Sequence, residues 1–129
     1  MEADRSVVDG PELPPAIGPY SQAVRAGSLL FVSGQPGVDP ETGEVAGPSF
    51  GDEARQVFRN LETVLRAGGS RLDLVANTTV LVADVGDFAE LNDLYAEHFP
   101  SDPPARMTMT VPLPRGLRIS IGCVAVLAG

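Results

Sequence analysis

Lysine and tryptophan are absent from this 129-residue chain, and histidine and cysteine occur once each, as His98 and Cys123. Each shortage removes a class of chemistry. Without lysine there is no Schiff-base nucleophile, no covalent pyridoxal phosphate and no P-loop lysine. One His and one Cys cannot build a Cys/His zinc site from a single chain, so no metal is expected. A lone cysteine forms no internal disulfide, which is compatible with a reducing compartment. Cations are scarce: nine arginines against seventeen acids leave a formal charge of −8, and the arginines are scattered. Affinity for phosphate and for anionic lipid depends on clustered cations, so neither nucleic acid nor a membrane is an expected partner. The longest nearly uncharged apolar stretch, Ile119 to Gly129, has eleven residues, against the roughly 20 that a membrane span needs. Met1 to Ser6 is polar and no apolar run follows, so no targeting segment is read and a cytoplasmic location is expected.

What is present reads as one domain over residues 1–129. Residues 1–13 form an N-terminal segment in which Val7-Val8 could supply a short edge strand. Tyr20 to Ala26 and Leu29 to Ser33 flank Gly27-Ser28, the pattern of a β-hairpin. Gly34 to Gly51, rich in glycine and proline, reads as a loop. From Asp52 to Ala67 the residues Ala54, Val57, Phe58, Leu61, Val64 and Leu65 recur at helical spacing. Ser49 is placed to cap that helix and Gly68-Gly69 to stop it. Ala76 to Val82 is a buried strand, and a second helix over Phe88 to Phe99 is expected, capped by Asp87 and ended by Pro100. Its apolar face is Phe88, Leu91, Tyr95 and Phe99.

Two alternating segments close the chain. Arg106, Thr108 and Thr110 share one face of a strand and Met107, Met109 and Val111 the other. In Leu117 to Leu127, Ile119, Ile121, Cys123 and Ala125 alternate with Ser120, Gly122, Val124 and Val126. The order is strands, helix, strand, helix, strands, which predicts an α+β domain: a mixed β-sheet with two helices on one face. The other face carries Val124 and Val126 and needs cover, so an oligomer is expected.

Arg106 is the leading site candidate. A guanidinium on a strand beside the Thr108 and Thr110 hydroxyls suits a bidentate grip on a carboxylate; the alternative is a surface arginine paired with an acid. His98 reads as an exposed residue favourable to a helix C-terminus, and Cys123 as an inert core thiol. Gly34, Gly37, Gly43 and Gly47 do not make a phosphate loop. Tyr20 fits a core role as well as a site role.

Several runs together resemble the YjgF/RidA family of reactive intermediate deaminases: Ile17-Gly-Pro-Tyr-Ser-Gln22, Leu30-Phe-Val-Ser-Gly-Gln35, Asp39-Pro-Glu-Thr-Gly-Glu44, Ala54-Arg-Gln56 with Asn60-Leu61, Asp87-Phe88 with Asn92 and Tyr95, and Pro104-Ala-Arg106. They cover about residues 14–127 in order. The resemblance implies a chorismate-mutase-like fold, a homotrimer with clefts between subunits, and cofactor-free hydrolysis of enamines and imines such as 2-aminoacrylate to 2-keto acids and ammonia. It implies catalytic roles for Arg106, Tyr20 and Asn92, with Ser33, Gly34, Thr108 and Gly122 also lining the substrate site. The chain departs from the family on its last strand, where active members commonly carry a glutamate and this chain has Gly122, and at Thr108, where a cysteine is frequent. A cleft so altered could hold a different small acid, with Thr108, Thr110 and Ser120 on one face, or serve as a non-catalytic binder of a carboxylate ligand or a protein partner.

Overall fold

The computed structural model describes residues 3–129, so the first two residues of the N-terminal segment lie outside it. Six strands form a single sheet in the order β1-β2-β3-β6-β4-β5. They are β1 (Arg5–Val7), β2 (Ala23–Ala26), β3 (Leu29–Pro36), β4 (Val75–Val82), β5 (Ala105–Thr110) and β6 (Ile119–Val126). Only β4 and β5 pair in parallel; the other neighbours are antiparallel. Helices α1 (Phe50–Gly68) and α2 (Phe88–His98) fill the connections β3 to β4 and β4 to β5. This is the α+β arrangement that alternation and helical spacing predict, and the chorismate-mutase-like one that the family resemblance implies.

Local signals explain the elements. The stripe of α1, from Ala54 to Leu65, is at most 1% exposed and forms the core with Leu30, Val80, Ile119, Ile121 and Ala125. Ser49 is extended, and its Oγ accepts from Asp52 N at 3.1 Å, the cap that its spacing predicts. At the other end Gly69 takes φ +90°, the left-handed conformation that closes a helix. Arg25 of β2 donates from Nε to Gly68 O at 2.9 Å, placing a cation on the open carbonyls of α1. Glu53, fully buried in the first turn, accepts from Arg118 N and Nε, both at 2.7 Å, and so ties α1 to the start of β6.

Two expectations need correction here. Asp87 makes no side-chain cap on α2, because a 3-10 turn over Val85–Asp87 runs straight into the helix and leaves Asp87 in helical conformation. Asp84 does the capping instead, accepting from Gly86 N at 2.8 Å. His98 is not simply exposed: its ring stacks on Phe58 of α1 at 4.0 Å, and Nδ1 lies 2.8 Å from Leu94 O. The apolar face of α2 also includes Leu94, which is 3% exposed.

The pairing sorts the sheet into rows of alternating face. Val32, Cys123, Thr78 and Arg106 form one rung, directed to the helices; Gln35, Ile121, Val80 and Thr108 form another. The intervening rungs face away from the helices. Val7, Val24, Phe31 and Val124 make one, and Gly122, Thr79 and Met107 the next. Leu29, Phe31, Met107, Met109 and Val126 are all exposed on this open face. Among the described residues no helix is long and apolar enough to cross a membrane.

Candidate active site

Arg106 leaves β5 on the helix side and meets α2. Its Nη2 donates to Asn92 Oδ1 at 2.9 Å, and Cζ stands 4.8 Å from the centroid of the Tyr95 ring. Among the described residues no acid lies within ion-pair distance of it, and the ion pairs found there use Arg55, Arg66, Arg71 and Arg118. The surface-pair alternative therefore fails. Arg106 is an exposed cation gripped by an amide and an aromatic face, neither of which neutralises it. Such a group offers a full positive charge and unused N–H donors to an arriving anion. Thr108, one rung along on the same face, has a buried Oγ1 with no hydrogen-bond partner among the described residues.

A second group of candidate residues gathers on the open face. Between Val32 and Gln35 the pairing of β3 with β6 slips, so that Ser33 and Gly34 together oppose Gly122. This is a β-bulge, a device that re-aims backbone and side chains. The bulge is held from behind. Gln35, fully buried, donates from Nε2 to Gln22 Oε1 at 2.8 Å and to Ser33 O at 3.0 Å. Ser33 Oγ donates to Ser21 O at 2.6 Å, drawing the Tyr20-Ser21 segment against β3. Tyr20 itself is 44% exposed, and its Oη accepts from Ile17 N at 3.4 Å. It is no core residue. Gly34 and Gly122, with Thr79, Leu81 and Ser120, line a cleft of about 190 Å³.

Gly34 and Gly122 have a steric reason to be small. A Cβ on Gly34 would lie 2.8 Å from Ser120 Oγ, and one on Gly122 would lie 3.2 Å from Val32 O. Ser120 belongs to this face and pairs with Leu81, which in turn pairs with Met109. The expectation that it shares a face with Thr108 and Thr110 is thus wrong. Alternation fixes the parity within each strand, but the register between strands sets their relative phase.

Within one chain, then, the predicted site residues fall into two clusters. Arg106, Asn92 and Thr108 sit on the helix side at the β5 edge; Ser33, Gly34 and Gly122 make the β3–β6 bulge, and Tyr20, in the segment that Ser33 holds, lines a neighbouring pocket with Gln22 and Gln35. Gly122 and Met107 are separated by β4, about 10 Å at the usual strand spacing, and Arg106 points to the opposite face. No small ligand touches both clusters of one protomer.

Tyr95, Gln22 and Gln35 are the residues whose roles sequence reasoning missed. Tyr95 was legible as part of an apolar stripe and of one matching run, with no role assigned to it. Burial pushes its phenol above the ordinary value, outweighing the opposite pulls of the Thr78 hydrogen bond and the Arg106 charge. Cys123 behaves as a core thiol, since burial pushes it up to about 12. Among the described residues no cluster of three His, Cys, Asp or Glu side chains could hold a metal.

Comparison with known proteins agrees with this architecture. The family model described as Endoribonuclease L-PSP matches residues 11–127. A protein of Arabidopsis thaliana named Reactive Intermediate Deaminase A, chloroplastic, is 42% identical over 95% of this chain and 66% of its own length. The Homo sapiens 2-iminobutanoate/2-iminopropanoate deaminase is 42% identical over 95% of this chain and 90% of its own. The crystal structure of E. coli TdcF with bound serine superposes with a TM-score of 0.88 at 33% identity, covering 95% of this chain and 99% of that one. With its fold and nearly its whole length matched, the chain belongs to the Endoribonuclease L-PSP family, that of the YjgF/RidA proteins.

Proposed function

We propose that this protein hydrolyses 2-imino acids and their enamine tautomers, such as 2-aminoacrylate, to 2-keto acids and ammonia, in clefts formed between the protomers of a homotrimer. The observation that carries the reading is Arg106: a cation with no acid beside it, oriented by Asn92. Relatives named for imine deamination support the reaction class. The bound serine of TdcF supports a small carboxylate as the ligand.

The chemistry follows from the groups available. Arg106 holds the substrate carboxylate in a fixed plane and leaves the adjacent C2 iminium exposed. Water adds to C2 and loses a proton, the nitrogen gains one, and the carbinolamine collapses with departure of ammonia. Carbon is neither oxidised nor reduced, so no cofactor is required. The reacting end of the substrate lies in the small cradle of Ser33, Gly34 and Gly122, where side chains are short enough to admit it.

The second protomer enters for a geometric reason. Arg106 and the bulge face opposite sides of their own sheet, so a ligand that meets both takes one cluster from each of two copies. The exposed Leu29, Phe31 and Val126 of the open face supply apolar surface for that contact. Cleavage of RNA is not the favoured reading, because a chain of charge −8 without lysine offers no clustered cations for a phosphate backbone.

The test generates 2-aminoacrylate with a serine dehydratase and follows its decay with purified protein. Wild-type protein accelerates the decay. A carboxylate–guanidinium contact contributes about 1.5–3 kcal/mol, so Arg106→Ala lowers kcat/KM about 10- to 150-fold. A wild-type rate equal to buffer refutes the deaminase, and a monomer by light scattering refutes the shared cleft.

A further inference from the structure

Tyr95 is 6% exposed, yet it carries a hydroxyl into the core. Phe58 and Phe99 pack against its ring with centroids at 6.2 and 4.8 Å, so an aromatic hydrocarbon would satisfy the packing alone. The hydroxyl is instead spent on one partner, Thr78 Oγ1, at 2.7 Å. Thr78 is fully buried and sits directly across the β4–β5 rung from Arg106. The two ends of this tyrosine therefore engage neighbours on one rung: its hydroxyl meets Thr78, and its ring face lies beneath the Arg106 guanidinium.

A guanidinium has five N–H donors. Among the described residues, one hydrogen bond, to Asn92, restrains those of Arg106. One hydrogen bond still allows the plane to swing about its axis. An aromatic face at 4.8 Å, well inside the roughly 6 Å range of cation–π attraction, removes that freedom.

We propose that Tyr95 is a positioning residue for Arg106: its ring, locked by Thr78 and the surrounding aromatics, sets the plane in which the guanidinium receives the substrate carboxylate. The inference rests on the carboxylate-binding role assigned to Arg106 above. It adds that the strength of this clamp is set by an aromatic platform which does not itself touch substrate. Because the carboxylate is held alike in the ground and transition states, loss of the platform appears in KM and ligand affinity and leaves kcat little changed.

The experiment measures binding of 2-oxobutanoate by calorimetry, together with kcat and KM, for wild type, Tyr95→Phe, Tyr95→Leu and a trifluorinated phenylalanine at position 95. Tyr95→Phe keeps the ring and binds within about threefold of wild type. Tyr95→Leu binds about 5- to 30-fold more weakly, the upper part of the range for a lost cation–π contact, because the ring is buried. The fluorinated ring has phenylalanine's shape without its negative face, and it falls with leucine; this comparison stands even if Tyr95→Leu fails to fold. In an Arg106→Ala background the same changes at position 95 have no further effect on binding. Equal affinity for the phenylalanine and its fluorinated form overturns the proposal, as does an undiminished effect of Tyr95→Leu without Arg106. Wild-type protein that binds no 2-oxobutanoate overturns the carboxylate reading itself, and this inference falls with it.

Discussion

Gly122→Glu supplies the last-strand acid that the family resemblance leads one to expect, and the structure allows its consequences to be worked out. Gly122 faces the β3 bulge, and a Cβ there would stand 3.2 Å from Val32 O, 3.4 Å from Gly34 N and 3.6 Å from Gly34 Cα. Only the first contact is tight, and it involves a bulge whose ladder is already interrupted. The steric cost is therefore near the lower end of the roughly 1–3 kcal/mol that overpacking brings. The rest of the side chain enters a cleft of about 190 Å³, several times the roughly 30 Å³ share of one water. A carboxylate so placed can take the proton from attacking water, and a positioned acid–base group is worth about 10²- to 10⁴-fold in rate. The assay is 2-aminoacrylate decay, with Gly122→Ala and Gly122→Gln measured alongside. Alanine carries the steric cost alone and glutamine the size without the basicity. Gly122→Glu is expected to exceed both, and wild type, in kcat. If glutamate is no faster than glutamine, proton transfer at this position does not limit the reaction.

Three further outcomes follow from the same geometry. Glu53→Ala removes both carboxylate acceptors from Arg118, whose one-third-exposed guanidinium keeps only Pro48 O, and costs about 1.5–3 kcal/mol in urea unfolding; a loss below about 1 kcal/mol contradicts the clamp between α1 and β6. Cys123 keeps its proton in the folded state up to about 12 while the unfolded thiol ionises near 9.0, so the unfolded state binds fewer protons between those values. Stability then falls as pH rises through this window, by about 1.4 kcal/mol per unit, and Cys123→Ala flattens the slope; an unchanged slope excludes the buried thiol as its source. Phe31→Asp places a charge on the open face beside Val24 and Val124. Sedimentation is expected to show folded monomers with no deaminase activity, whereas an intact oligomer places the subunit contact elsewhere.

Signals that act over a few residues were legible in the chain itself. Ser49, the Ala54-to-Leu65 stripe and Gly69 define α1 through hydrogen bonds and periodicity that never leave the segment. The strict alternation of Arg106, Thr108 and Thr110 was equally local, and so was the burial of Cys123. Asp87 shows the limit of such reasoning, since a cap requires an extended residue and the preceding 3-10 turn denies it one. Gln22 and Gln35 show another: they look like surface amides until the sheet folds them against each other beneath the bulge.

Composition, the presence of the two helices and strand parity were settled by the order of residues, because each depends on neighbours within a turn or two; that no acid meets Arg106 was not. Which strand faces share a phase, where β3 slips against β6, what lies under the Arg106 guanidinium, and the separation of the candidate residues onto two sides of one sheet were decided only by long-range pairing. Period-2 alternation is blind to a shift of one strand past the next, and that shift determines which side chains can ever meet the same ligand.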